Sequence, residues 1–173
     1  SMRAMAYALK NGTEGERQLV ELKAVDKFYP FYGRVEASPD VVLKDALTCN
    51  DTTCGAVVEV TLLDRLHVAR GGLVRVGIQN FRISAVLTHE PDRISGGFSL
   101  GPHVLISDAA LKRTGLVTYG SLIDYAYRIQ GPASFSTDAF RSEANRKFPN
   151  AGWEIRTREN PTPGTRSFID QVT

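Results

Sequence analysis

Several things are scarce in this 173-residue chain, and each scarcity closes off a class of function. No window approaches the roughly 18 uninterrupted apolar residues of a membrane-crossing helix. The first twenty residues lack the basic, apolar and small-residue succession of a secretory leader. Charge of one sign is missing too: 21 Lys and Arg stand against 19 Asp and Glu, a net charge of +2. The basic residues are scattered rather than gathered into a stripe that tracks phosphates, so nucleic acid is not an expected partner. Phosphate-binding loops are absent, because Gly71-Gly72 and Gly96-Gly97 run into strand-like or irregular sequence, not into Lys-Ser/Thr and a helix. There are two cysteines and three histidines. A structural zinc site wants four ligands, and His67, His89 and His103 show no paired spacing, so neither metal nor cofactor is expected.

What is present suits a globular α+β protein. Hydrophobic residues make up 42% of the chain, enough for a core in one domain or two small subdomains. The most organised stretch is residues 55–92. Thr61 with Asp64 suits a weak capping box, after which Leu62, Leu63 and Leu66 share a helix face. Arg70-Gly71-Gly72 breaks that helix, residues 73–76 are extended, 77–80 turn, and Phe81, Ile83, Ala85 and Leu87 alternate with Arg82, Ser84 and Val86. A hairpin with one apolar face is expected there.

On either side of this module the pattern is simpler. Residues 5–11 and 18–26 suit a hairpin turned across 12–15. Phe28, Tyr29, Phe31 and Tyr32 surround Pro30 and are read as a packed corner in preference to a ligand-stacking surface, because cores use aromatic area first. Residues 37–54 form a polar loop. A short strand at 104–106 leads to a helix capped by Ser107 and ended by Gly115. Residues 122–130 alternate as a half-buried strand, Ser136 caps a helix with Phe135 and Phe140 as a hydrophobic staple, and Trp153, Ile155 and Thr157 alternate in a last strand. That strand, helix and strand predict a right-handed β-α-β unit with its strands parallel, which the N-terminal hairpin would extend. The expected division is therefore residues 1–34 with 119–173 as one subdomain and 35–118 as a β-rich insert.

Few residues look chemical. Gly97-Phe98-Ser99-Leu100-Gly101 matches the G-x-S-x-G nucleophile elbow, but Pro102 and a β-like run follow where a helix should, and no acid lies between Ser99 and His103. A glycine-rich loop edge is the preferred reading. Glu90, Asp92 and Asp108 are read as solvated loop charges. Cys49 and Cys54 enclose an Asn-Asp-Thr-Thr turn, and in an oxidising compartment a local disulfide is favoured over two free thiols.

Beyond the residues themselves, the run LLDRLHVARGGLVRVGIQNFRISAVLTHEPDR, followed by GGFSLGPHVLIS and the tail GWEIRTRENPTPGTRSFID, resembles the extracytoplasmic domain of FtsX/MacB-type ABC transporter permeases, nearest their YbbP-like branch. The resemblance covers about residues 18–170. It implies a MacB-like periplasmic core, a porter-like β-α-β subdomain from the two chain ends with an inserted β-rich subdomain. It also implies a non-enzymatic role on the periplasmic side of the bacterial inner membrane, where the domain couples transmembrane-helix movement to substrate or partner handling. ATP hydrolysis would belong to a separate cytoplasmic ABC ATPase subunit, and the extracytoplasmic contact would be a periplasmic partner or a hydrophobic, lipid-like substrate. Within that frame Ser1 before Met2 reads as a cloning remnant, and Phe168 and Val172 begin a helix that would continue into the membrane. The expected contact loop is residues 93–100, with Arg93, Gly96, Gly97, Phe98, Ser99 and Leu100. The alternative is a free periplasmic serine hydrolase or small-molecule binding domain using the loop of residues 97–101 or the aromatic corner.

Overall fold

The computed structural model describes residues 1–92, 101–132 and 134–156. The chain divides into two compact units, Ser1–Arg128 and Ile129–Thr173. The first opens with a hairpin, β1 (Met2–Lys10) and β2 (Thr13–Val25), turned by Asn11 and Gly12 at φ 52° and 79°. Two left-handed residues give the turn whose twist matches paired strands, and Asn-Gly adopts it at little cost. The turn is tighter than the sequence pattern suggested, and residues 13–15 already belong to β2.

Next come the short strand β3 (Glu36–Ser38), the single-turn helix α1 (Leu43–Ala46), strand β4 (Thr53–Glu59) and helix α2 (Val60–Leu66). Glu59 occupies the N-cap of α2 without a side-chain cap bond, so Thr61, expected as the cap, lies inside the first turn. The second hairpin is β5 (Leu73–Val76) and β6 (Gln79–His89), where the sequence predicted it, and is turned at Gly77 and Ile78. Strand β7 (His103–Ser107) then leads into α3 (Asp108–Arg113). The Ser107 hydroxyl accepts from the Ala110 N–H at 3.2 Å, and Gly115 at φ 69° ends the helix, both as read from the sequence.

The strands run β3-β6-β4-β7-β2-β1-β5, and β5 also pairs with β6. That second pairing closes six strands into a barrel and leaves β3 appended to β6. Two pairings are parallel, β2 with β7 and β4 with β6, and the others are antiparallel. Alternate residues of each barrel strand meet in one core, among them Ala6, Val20, Leu22, Ala56, Val58, Val76, Phe81, Ile83, Val104 and Ile106, with Leu62 and Leu66 of α2 and Ala110 of α3 added. A second core lies on the outer face, where Val57, Ala85, Leu87 and Leu105 pack with Ala46 and Leu47 of the α1 region. Strand β4 is therefore buried on both sides and reads as a nearly unbroken apolar run.

A bulge explains how β6 serves both cores. Ile83 faces Ala56 and Ala85 faces Val57, so Ser84 is the extra residue. One inserted residue reverses the side-chain phase, sending Phe81 and Ile83 inward and Ala85 and Leu87 outward. Ser84 donates to the Ala46 carbonyl at 2.7 Å and pins α1 to the sheet. Gly55 is required beneath it, since a Cβ there would run into that same carbonyl.

The barrel also has an internal repeat: hairpin, strand, helix occurs as β1-β2-β4-α2 and again as β5-β6-β7-α3. The third strand of each set pairs in parallel with the second strand of the other. Both helices are followed by a left-handed residue, His67 and Gly115, at matching positions.

This pairing differs from the expected division. The N-terminal hairpin bonds to β5 and β7, so residues 1–34 share one barrel with strands from residues 35–118. The physical reason is that the interior set of β2 is completed by Val104 and Ile106, which only the parallel β2–β7 pairing supplies. Residues 122–130 form no strand, and Leu122, Tyr125, Tyr127 and Ile129 are exposed. A single bridge exists, in which Asp124 N–H donates to the Ser1 carbonyl at 2.8 Å and the Ser1 amino group donates back. Among the described residues nothing continues that ladder, and a strand pattern without a neighbour stays unpaired.

In the second unit, α4 (Thr137–Lys147) carries its predicted start: Ser136 accepts from the Ala139 N–H at 3.2 Å, and the Phe135 and Phe140 rings lie 5.5 Å apart. No α4 residue is buried, and among the described residues its apolar side chains meet Phe135 at one end and, through Phe148, Trp153 at the other. Residues 153–156 take no strand.

Candidate functional site: an ionic cluster on the barrel wall

The residues with the most chemistry gather on the outer face where β2 meets β7. On β2, Val20 and Leu22 point into the barrel, so Glu21 and Lys23 point out. The parallel register sets Glu21 beside His103, the first residue of β7. Strand β6 ends at His89, so Glu90 and Asp92 follow it onto the same face. Tyr29 arrives from the segment after β2, and Glu59 from the end of β4.

These groups form one network. Lys23 Nζ donates to Glu90 Oε1 at 2.5 Å, to Asp92 Oδ1 at 2.8 Å and to Tyr29 OH at 3.1 Å. The Tyr29 hydroxyl in turn donates to Asp92 Oδ1 at 2.6 Å, with Glu90 Oε1 at 3.1 Å. His103 faces carboxylates at both ring nitrogens: Nδ1 lies 3.0 Å from Glu90 Oε2 and Nε2 lies 3.0 Å from Glu21 Oε2. Its backbone N–H donates to Glu59 Oε2 at 3.0 Å, and Arg128 approaches Asp92 Oδ2 at 3.8 Å. Among the described residues no buried side-chain polar atom lacks a partner.

The Glu90 side chain is 2% exposed, so water contributes little to holding its charge. Desolvation alone would raise its carboxyl pKa. Hydrogen bonds from His103 and Lys23, with the Lys23 charge, outweigh it and bring the value down to about 2. Burial, the hydrogen bond to Asp92 and the charge of Glu90 push the Tyr29 phenol far upward, so it remains a donor throughout the physiological range. Such a cluster is an ionic lock. Every group already has a partner in the protein, and two depressions among the described residues lie elsewhere, one of about 400 Å³ beside Arg34 and Asp40 and one of about 530 Å³ beside Gly77 and Arg75.

The sequence placed Glu90 and Asp92 in water, and the structure corrects that reading: both are drawn under Lys23 and Tyr29, whereas Asp108 stays exposed. Glu21, Lys23 and His103 were not singled out together, because on alternating strands each looks like an ordinary solvent-face residue until the β2–β7 register is known. The aromatic corner is also different from its expectation. Phe28 and Tyr32 are 68% and 60% exposed, and Tyr29 alone is drawn into the lock. The Cys49 and Cys54 sulfurs are bonded, closing the turn before β4, and the two residues also form a β-bridge. Arg93, Gly96, Gly97, Phe98, Ser99 and Leu100 lie outside the described residues. His103, the histidine nearest Ser99 in sequence, has its ring between Glu21 and Glu90, an arrangement that does not favour the hydrolase reading.

No family model matches the chain, and no solved structure matches it. One curated protein does match, at 30% identity over 115 residues. The chain is similar to an ABC transporter permease. The relative is the uncharacterized ABC transporter permease YbbP of Escherichia coli (strain K12). The match takes in 66% of this chain and 13% of YbbP. Among the described residues no helix is long and apolar enough to cross a membrane.

Proposed function

We propose that this chain is an extracytoplasmic domain of an ABC transporter permease of the FtsX/MacB type, held on the periplasmic side of the inner membrane. The observation that carries the reading is the 30% identity to YbbP over 115 residues, a stretch that makes up 13% of that permease. A segment of that size with its own closed barrel and buried cores suits a domain carried by a larger membrane protein. In this reading the barrel is the β-rich part, residues 119–173 with α4 belong to the porter-like part, and neither is catalytic. The domain moves with the transmembrane helices of its parent and presents residues 93–100 to a periplasmic partner or a hydrophobic substrate, while a cytoplasmic ATPase subunit supplies the energy.

The test uses the full-length parent protein. Alkaline phosphatase fused after Lys147 is expected to be active, and a fluorescent protein that matures only in the cytosol is expected to stay dark at the same position. The reverse pattern would sink the assignment. In the same parent, Phe98→Ala is expected to impair transport or partner capture without lowering the amount of protein in the membrane, and unchanged handling would remove the contact-loop part alone.

A further inference from the structure

We propose that residues 122–130 are an association strand that pairs antiparallel with the same residues of a second copy of this chain, about a twofold axis beside Ala126.

The stretch is self-complementary. Read about Ala126, an antiparallel copy sets Tyr125 opposite Tyr127, Asp124 opposite Arg128 and Ile123 opposite Ile129, and the twofold axis makes each of these pairs twice. Side chains of a strand alternate between its faces, so Ile123, Tyr125, Tyr127 and Ile129 share one face, with Asp124, Ala126 and Arg128 on the other. Aromatic pairs, β-branched pairs and opposite charges directly across from one another are what hold antiparallel strands together. The charges also choose the register. A slip of one residue mixes the two faces, and a slip of two sets Asp124 or Arg128 opposite an uncharged residue.

The structure leaves these groups on the surface. Residues 122–130 belong to no strand, Tyr125 and Tyr127 are 68% and 81% exposed, and Asp124, Ala126 and Arg128 are exposed beside them. The Ser1 amino group and carbonyl bond the carbonyl and N–H of Asp124, the double exchange of a hydrogen-bonded antiparallel pair. In an extended strand neighbouring residues aim their backbone groups at opposite edges. Ser1 therefore takes the edge of Asp124, and Tyr125 and Tyr127 present theirs to the other. Pairing Tyr125 with Tyr127 of the second copy uses that other edge and brings the two Ala126 residues together as a non-hydrogen-bonded pair. Arg128 lies 3.8 Å from Asp92 Oδ2, and the Asp124 charge lies near the Ser1 amino group. Among the described residues neither side chain is hydrogen-bonded, so each is able to turn to a partner. An alternating apolar segment with an uncovered edge is a template for a further strand, and here the charges of the segment match a copy of itself. One strand pair is a small interface, so the dimer is weak and forms as concentration rises. None of this rests on the permease reading.

Sedimentation velocity of the 173-residue chain between about 10 μM and about 1 mM tests the pairing. A monomer–dimer equilibrium is expected in that range. A chain that stays monomeric throughout overturns the proposal and leaves the edge to a strand of a different protein. Asp124→Arg sets like charges opposite each other at two places and should weaken the dimer about tenfold or more, and combining it with Arg128→Asp should restore it. In air-oxidised samples on non-reducing gels, Ala126→Cys should link two chains, because the Cα atoms of such a pair lie about 4.5 Å apart, within disulfide reach. Gln130→Cys should not link, since its two copies lie about 27 Å apart in this register. A dimer indifferent to Asp124→Arg, a double variant no tighter than the single one, or linking at residue 130 as readily as at residue 126 would each overturn the proposal. All three substituted charge and cysteine positions from 124 to 128 are exposed, and if a charge variant fails to fold the two cysteine variants decide alone.

Discussion

Replacing Glu90 by Gln keeps the shape of the side chain and removes its charge, which makes Glu90→Gln the sharpest probe of the ionic lock. The carboxyl pKa falls from 4.5 to about 2 on folding. At 1.36 kcal/mol per unit, the ionised form then contributes about 3 kcal/mol to stability at neutral pH. A lowered pKa fixes the sign: this contribution is present above the unfolded-state value and drains away as pH falls through the folded-state value. The window is therefore between about pH 4.5 and pH 2. Urea unfolding of the wild type and the variant at several pH values across that window reads the effect as a difference, which cancels the carboxylates common to both proteins. The variant is expected to be less stable by about 2–3 kcal/mol at pH 7, because Lys23 and His103 are left around a neutral amide. The two curves should converge as the pH approaches 2. Parallel curves, with the same gap at pH 7 and pH 2, would refute the reasoning and assign the loss to packing.

Three further perturbations probe the frame around the lock. Gly55→Ala drives a Cβ into the Ala46 carbonyl and should cost about 1–3 kcal/mol, read as a lowered melting temperature. Phe81→Ala empties a fully buried site in the barrel and should cost about 3–5 kcal/mol, whereas Phe28→Ala, at an exposed ring, should stay within about 0.5 kcal/mol in the same denaturation assay. Ser136→Ala removes the cap of α4 and should weaken that helix by about 1 kcal/mol, seen as faster N–H exchange in its first turn without change in the barrel.

The elements that the sequence announced are those whose cause is local. Ser107 and Ser136 cap their helices through a bond three residues away, Gly115 ends α3 by its own backbone preference, and the alternation at Phe81 and Ile83 marks a strand with one dry face. Barrel closure has no local cause. It depends on Ala6 meeting Val76 and Leu22 meeting Val104, partners far apart in the chain, and nothing in a window of ten residues records them. The repeat of hairpin, strand and helix was within reach, since Gly55 to Leu66 and Gly101 to Thr114 present the same order of strand and helix. The small side chains of the second copy, Ala110 where the first has Leu62, obscure the match. The ionic cluster was hidden for the same reason as the barrel. Glu21 and Lys23 resemble any polar residues that alternate with Val20 and Leu22, and only the tertiary arrangement of the strands brings Glu21 to His103 and Lys23 to Glu90. The strand expected at residues 122–130 failed in the opposite way, for its alternation is real but, past the Ser1–Asp124 bridge, no described residue pairs with it.

The crosswise exchange of strands between the two halves of the barrel bears on how the chain reaches this state. Neither hairpin can complete its wall until the third strand of the other half has been set beside it, and the β2–β7 ladder joins segments separated by most of the unit's length, Glu21 with His103. Loop-closure entropy must be met before those contacts return anything, which places this domain among the slower folders, on a scale of milliseconds to seconds. During that interval β4, dry on both faces once the barrel is shut, stands open to water and to other chains. Any crowding or heat stress felt during synthesis therefore falls first on this strand, whose aggregation risk is set by kinetics and not by the stability of the finished barrel.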